Sequence, residues 1–279
     1  MTETHDLRLA VLIDADNVSH NSIEAVMKEI AEYGDPTVKR IYSDWTSPQT
    51  QGWKISLLEY AITPVQQYGY TTGKNSTDGA MIIDAMDILY REQVDGFCII
   101  SSDSDFTRLV VRLRESGKKV FGFGEEKTPR PFVVACDKFI YIEKIHVSPE
   151  KAIATSDNNE LARTPTKPDP GRNKKSEKQQ GKPDSTMIDR IPLSGIELIA
   201  NAIADIADDD GYVSLSNLGQ LLSRKQPDFD SRNFGFSQLS KLIASITRFE
   251  IDVRDSQDLA SKQIFVRDKQ IPHTGHLLL

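Results

Sequence analysis

The sequence predicts an α/β chain: a doubly wound parallel sheet, followed by a second, small winged helix-turn-helix domain. Three observations carry this expectation. Short apolar runs alternate with helical patterns from Leu7 to about Val147, some runs are apolar at every position, and a fresh set of amphipathic segments begins at Ile191 after a polar stretch. Short strands alternating with helices imply parallel pairing through right-handed crossovers. Strands that are apolar throughout are those covered on both faces.

Taken in order, the expected strands of the first domain are Leu9–Ile13, Val38–Ser43, Thr63–Gln67, Phe97–Ser101, Val120–Phe123 and Phe139–Ile142. Between them, apolar residues at helical spacing predict helices over Asn21–Tyr33, Trp53–Ala61, Asp78–Arg91 and Phe106–Ser116, with a short one near Arg130–Cys136. Residues 1–147 form this domain. Residues 148–190 read as a flexible linker, because Arg163 to Lys175 holds prolines, lysines and arginines with almost nothing apolar. In the second domain, 191–270, Ser194 is expected to cap a helix with Ile196, Ile199, Ala200, Ile203 and Ile206 inward. Tyr212–Leu215 is a short extended segment, Ser216 or Asn217 opens a helix over Leu218–Lys225, and Phe236–Ser245 is a third helix. Phe249–Val253 and Gln263–Arg267 close the domain as a hairpin, and 271–279 is a tail.

Composition narrows the function. Among 279 residues, 38% are hydrophobic and none of the apolar runs is long enough to span a bilayer, so no membrane partner is expected. The polar start, Met1 to Asp6, lacks a secretory pattern, and Cys98 and Cys136 are too far apart for a metal motif; reduced buried thiols in a cytoplasmic protein are expected. Net charge is -7, divided as -7 over residues 1–150, +3 over 151–190 and -3 over 191–279. An acidic site that holds divalent cations offsets part of its own charge, so this balance is compatible with a phosphodiester substrate.

The chemistry is expected where strands end, since ligands of open α/β sheets bind outside the carboxyl ends of the strands. Asp14, Asp16 and Asn17 follow the first strand. Ser101, Ser102, Asp103, Ser104 and Asp105 follow the fourth, and Asp78 opens the helix before it. Crowded carboxylates repel unless protonated or neutralised by cations, and hard oxygen donors suit Mg2+ or Mn2+. Asp14, Asp78 and Asp103 are therefore the expected catalytic and metal-holding cluster, with Asp105 as fourth ligand and Asp16 next in rank. Asp84, six residues after Asp78, is turned about 120° away on an ideal helix. The plainer readings are that Asp103 caps the following helix and that Asp78 only complements its helix dipole. Asn17, Lys74, Asn75 and Ser102 are expected to contact substrate. Trp45 and Trp53 fit packing better than base stacking, and no histidine pair offers a zinc site.

Three segments resemble the signature segments of NYN domains, relatives of the PIN-like nucleases: Leu12-Ile13-Asp14-Ala15-Asp16-Asn17, Lys74-Asn75-Ser76-Thr77-Asp78 and Ile100-Ser101-Ser102-Asp103-Ser104-Asp105-Phe106. The resemblance covers about residues 7–146 and implies metal-dependent RNA cleavage, with the family's acidic positions falling on Asp14, Asp78, Asp103 and Asp105. Leu198–Arg267 is similar to the OST-HTH (LOTUS) domain, which implies RNA or a protein as partner; Arg224, Lys225, Arg232, Asn233, Phe234, Gly235 and Lys241 are the expected contacts there. The resulting expectation is a divalent-metal-dependent ribonuclease whose second domain retains RNA across a flexible tether. Two rival readings stand beside it: an RNA-binding adaptor without turnover, and a haloacid-dehalogenase-like phosphatase with Asp14 as nucleophile, suggested by Asp14-Ala15-Asp16. Homodimerisation is left open.

Overall fold

The computed structural model describes residues 6–68, 76–145, 191–255 and 262–271. The stretch read as a linker, 148–190, the segment holding Lys74 and Asn75, and nearly all of the tail lie outside the described residues.

Six strands form a parallel sheet: β1 (Arg8–Asp14), β2 (Asp35–Ser43), β3 (Thr63–Gln66), β4 (Gly96–Ile100), β5 (Lys119–Gly124) and β6 (Lys138–Tyr141), in the order β3-β2-β1-β4-β5-β6. The strand order reverses between β1 and β4, and this is where a doubly wound sheet opens a crevice at its carboxyl edge. Alternate residues of β1 feed two cores. Ala10 and Leu12 face α3 (Ser76–Arg91), α4 (Thr107–Glu115) and α5 (Arg130–Ala135). Leu9, Val11 and Ile13 face α1 (Ile23–Ile30), α2 (Trp53–Glu59) and the short α6 (Ile142–Ile145). Both sides of β1 are thus removed from water, which is why it reads as a continuous apolar run.

The second domain has α7 (Leu193–Ile206), α8 (Leu215–Lys225) and α9 (Leu239–Ser245) around a small antiparallel sheet, β7 (Tyr212–Ser214), β8 (Phe249–Asp255) and β9 (Lys262–Asp268), ordered β7-β9-β8. Its own core includes Ile199, Ile203, Leu218, Leu222, Leu242 and Val266. Three expected boundaries move. Pro192, not Ser194, stands at the start of α7, since proline's fixed φ suits a helix entry. Ser214 caps α8 by accepting from the Asn217 amide at 3.2 Å, which starts the helix three residues early. The third helix begins at Leu239 because Ser231–Phe234 makes a separate turn ended by Gly235 at φ 84°.

The two domains touch, which corrects the picture of one domain merely tethered to the other. The Phe139 amide at the edge strand β6 donates to the Pro227 carbonyl at 2.9 Å. Asp228 accepts from Arg130 at 2.8 Å and from the Tyr141 hydroxyl at 3.0 Å. Arg232 forks onto both oxygens of Glu29 in α1, each at 2.7 Å, while also bonding Asp230. Glu29 is 4% exposed and accepts as well from the Tyr33 hydroxyl. The ladder groups of β6 that would otherwise face water are therefore partly covered, a common way to protect a sheet edge.

Candidate metal centre

Asp14 ends β1 level with Ser101, because β1 and β4 pair in register up to Ile13 and Ile100. It is 1% exposed. Its two oxygens accept from the Asp16 amide (3.1 Å), the Asn17 side-chain amide (2.7 Å) and the Ser101 hydroxyl (2.8 Å). Ser101 in turn accepts from the Asp103 amide at 3.0 Å, so one serine hydroxyl ties the ends of β1 and β4 together. Burial raises the Asp14 carboxyl above its ordinary range, and those three hydrogen bonds work in the opposite direction.

Above this lies an open trio. Asp78, Asp103 and Asp105 each offer an oxygen within 4.8 Å of the others, with Asp78 buried and Asp105 exposed. The Asp78 carboxyl is pushed up to about 6, by burial first and then by repulsion from Asp14, Asp103 and Asp105. Three converging carboxylates, one of them costly to ionise, are the donor set a hard divalent cation would relieve. Asp103 also caps the turn Ser104–Phe106, accepting from the Asp105 amide at 2.9 Å. The capping role and the cluster role therefore coexist in one side chain.

Asp14 is not among the trio: it sits behind it, with its oxygens turned to Asn17, Ser101 and the Asp16 amide. Asn17 serves this carboxylate. Asp16 is exposed and accepts from Ser43 at 2.8 Å. Ser102 is 8% exposed and accepts from the Glu125 amide at 2.9 Å, so it braces the loop after β5 and is not an open substrate contact. Asp84 points away from the cluster and pairs with Arg40 and the Tyr42 hydroxyl of β2, clamping α3 to the sheet. Trp53 is buried, and the Trp45 indole donates to the Val65 carbonyl, so both pack. For a phosphatase, Asp14 is poorly placed, because a nucleophile must meet the phosphoryl group and this carboxylate is enclosed.

In the second domain, Arg224 and Lys241 are exposed, and Lys225 pairs with Asp205. Arg232 is a correction: Glu29 and Asp230 occupy its guanidinium, which is consumed in docking and is not presented to RNA. The sequence reading missed Ser101 as a linking residue, although its place directly after the apolar run of β4 marks it. It also missed Glu29 and Asp228. Glu29 does break the apolar face of its helix; Asp228 in its loop carries no signal.

Two family models match the two domains in chain order. The NYN domain model matches residues 8–143 and the OST-HTH/LOTUS domain model matches residues 196–259. An uncharacterized protein of Methanocaldococcus jannaschii is 25% identical over 123 residues, 43% of this chain and 48% of that protein, so the match spans about half the length of this curated relative. Among solved structures, a protein of unknown function from Vibrio parahaemolyticus aligns at 20% identity and TM-score 0.43, covering 51% of this chain and 96% of its own. One from Nitrosomonas europaea aligns at 28% identity and TM-score 0.25, covering 42% of this chain and 99% of its own.

Proposed function

We propose, from a chain in which an NYN domain precedes an OST-HTH/LOTUS domain, that the protein is a divalent-metal-dependent ribonuclease. The observation that carries the reading is the convergence of Asp78, Asp103 and Asp105 at the strand-order reversal, backed by the buried Asp14. Asp78, Asp103 and Asp105 would hold Mg2+ or Mn2+. When bound, such a cation supplies a water of lowered pKa and positive charge for the oxygens at phosphorus.

The chain's own residues supply the rest. Asp14 sits beneath the cluster and, through Ser101, sets the position of the Asp103 backbone. Asn17 and Ser101 donate to Asp14 and so hold it in place. Lys74 and Asn75, which precede α3 in sequence, are the candidates for contacting the scissile phosphate. Arg224, Lys225 and Lys241 are candidates for retaining RNA on the second domain.

The test is incubation of purified protein with end-labelled single-stranded and structured RNAs in Mg2+, Mn2+ or EDTA, beside Asp14→Asn. Cleavage that needs metal and disappears in a folded Asp14→Asn protein is the expected result. Normal cleavage by that variant would sink the assignment of the site. RNA retention with no cleavage under any metal would favour an adaptor that binds without turnover.

A further inference from the structure

An open cleft of about 410 Å3 lies at the junction of the two domains. Its charged lining comes from both. Arg114 lies in the last turn of α4, Lys119 starts β5 and Arg130 starts α5, while Arg224 and Lys225 end α8; Asp137 is the one carboxylate among the lining residues. This concentration of cations stands out in a chain of net charge -7.

Part of the pattern has a local explanation. Arg114, Arg224 and Lys225 sit in last helical turns, where cations offset the helix dipole. Asp137 lies 3.3 Å from Arg114 and 3.6 Å from Lys119, Arg130 meets Asp228, and Lys225 meets Asp205. Local pairing still leaves five cations facing three carboxylates, and Lys119 is 60% exposed on a strand, where no helix dipole accounts for it. Nor does a dipole explain why the last turns of two helices from different domains border one concavity. Docking through Pro227, Asp228 and Arg232 does that, and it fixes the spacing of the two cationic walls.

We propose that this cleft seats the phosphodiester backbone of single-stranded RNA, gripped by both domains at once. The exposed Arg224 guanidinium matches phosphate oxygens in forked geometry. Arg114, whose guanidinium also donates to the Ala135 carbonyl at 2.8 Å, and Arg130, held by Asp228, add positive charge to the wall beside Lys119 and Lys225. The cleft is separate from the acidic centre: Lys119 opens β5, whereas the acids follow the carboxyl ends of β1 and β4. A strand of six residues puts about 20 Å between the two sheet edges, so the cleft holds RNA outside the cleavage site. The assignment rests on RNA as the substrate class but not on cleavage.

Binding is therefore measured in EDTA, by anisotropy of a fluorescein-labelled 20-nucleotide single-stranded RNA, for the full chain and three variants. Lys119→Glu with Arg224→Glu is expected to weaken affinity about tenfold at 0.1–0.2 M salt and to flatten log K against log salt by about 1.4 units, as for two lost phosphate contacts on a single strand. Lys119→Gln with Arg224→Gln, which removes charge without placing a carboxylate beside Asp137, falls between this and the parent. Lys28→Glu with Lys54→Glu changes the charge equally on α1 and α2 and is expected to stay within about twofold of the parent. Cleft variants that bind like this control, or a parent protein without affinity for the RNA, would overturn the proposal. Loss of cleavage activity in Mn2+ with cleft-dependent binding intact would instead count against the nuclease reading alone.

Discussion

Replacing Asp78 by asparagine should stabilise the metal-free protein while destroying its response to metal. The carboxyl of Asp78 is held at about 6 against an ordinary 3.8. Each unit corresponds to about 1.4 kcal/mol between the two protonation states, so ionised Asp78 costs the folded protein at most about 3 kcal/mol. Two effects reduce that figure. The cluster opens to water at Asp105, which screens the repulsion. Asp78 also sits in the first turn of α3, where a negative charge gains about 0.3–1 kcal/mol from the helix dipole. A net gain of about 1–2 kcal/mol for Asp78→Asn at pH 7.5 in EDTA remains. The sign with pH follows from a folded pKa raised above the unfolded one. The penalty is absent below about 3.8, grows between there and about 6, and is complete above that. Urea unfolding of parent and variant in EDTA from pH 4 to 7.5 therefore has a stated outcome: the variant's advantage appears at neutral pH and vanishes towards pH 4. Addition of Mn2+ should raise the parent's stability and leave the variant's nearly unchanged. An advantage independent of pH, or a variant less stable than its parent at pH 7.5, would show that Asp78 is not strained by its neighbours.

Two further perturbations probe the frame around the site. Arg232→Ala leaves Glu29 unpaired at 4% exposure, and breaking such a buried pair costs about 3–5 kcal/mol if the domains stay together. Separation rehydrates Glu29 at lower cost, so the expected outcome is release of the second domain, read as lost hydrogen-exchange protection of the Phe139 amide; unchanged protection would refute the latch. Gly122→Ala in β5 would bring a Cβ to 2.6 Å from both the Cys136 sulfur and a Phe139 ring carbon. Overpacking of this kind costs about 1–3 kcal/mol, so a clear fall in melting temperature is expected and an unchanged one would contradict the packing.

The sheet was legible because its strands and helices carry different periods. Leu9–Ile13 and Phe97–Ile100 are apolar throughout, and both prove to be the central strands, buried on two faces. Asp14 and Asp103 could be placed at one edge because each follows such a strand, and Asp78 because it opens the helix before β4. The division of labour among them could not be read. Which oxygen faces the trio and which faces Ser101 depends on side-chain direction, and residue spacing says nothing of it. Helix starts in the second domain slipped where a serine's cap and a serine within the helix look alike in sequence, as at Ser194 and Ser214. Docking was hidden for a deeper reason: Glu29 and Arg232 stand 203 positions apart, and neither the break that Glu29 makes in its helix's apolar face nor the charge of Arg232 names the other as its partner.

That docking changes what the second domain contributes. A domain on a flexible tether raises the local concentration of whatever it binds, with no preferred direction. A domain fixed by a buried fork of Arg232 on Glu29 and by a backbone bond at β6 presents its cations at a set distance and orientation from the acidic centre. On the proposed ribonuclease reading, a strand held by these cations reaches the acidic centre along one path, and the cut is measured from the point where the strand is gripped. The same geometry limits the surface of the second domain: the turn Ser231–Phe234, which carries Arg232, faces the first domain, so the candidate RNA contacts that stay exposed are those on α8 and Lys241 on α9. A docked arrangement predicts fragments of regular offset from the gripped segment. Weakening the Arg232–Glu29 pair should broaden that offset before it lowers the rate, because the acidic cluster, built wholly within the first domain, is untouched.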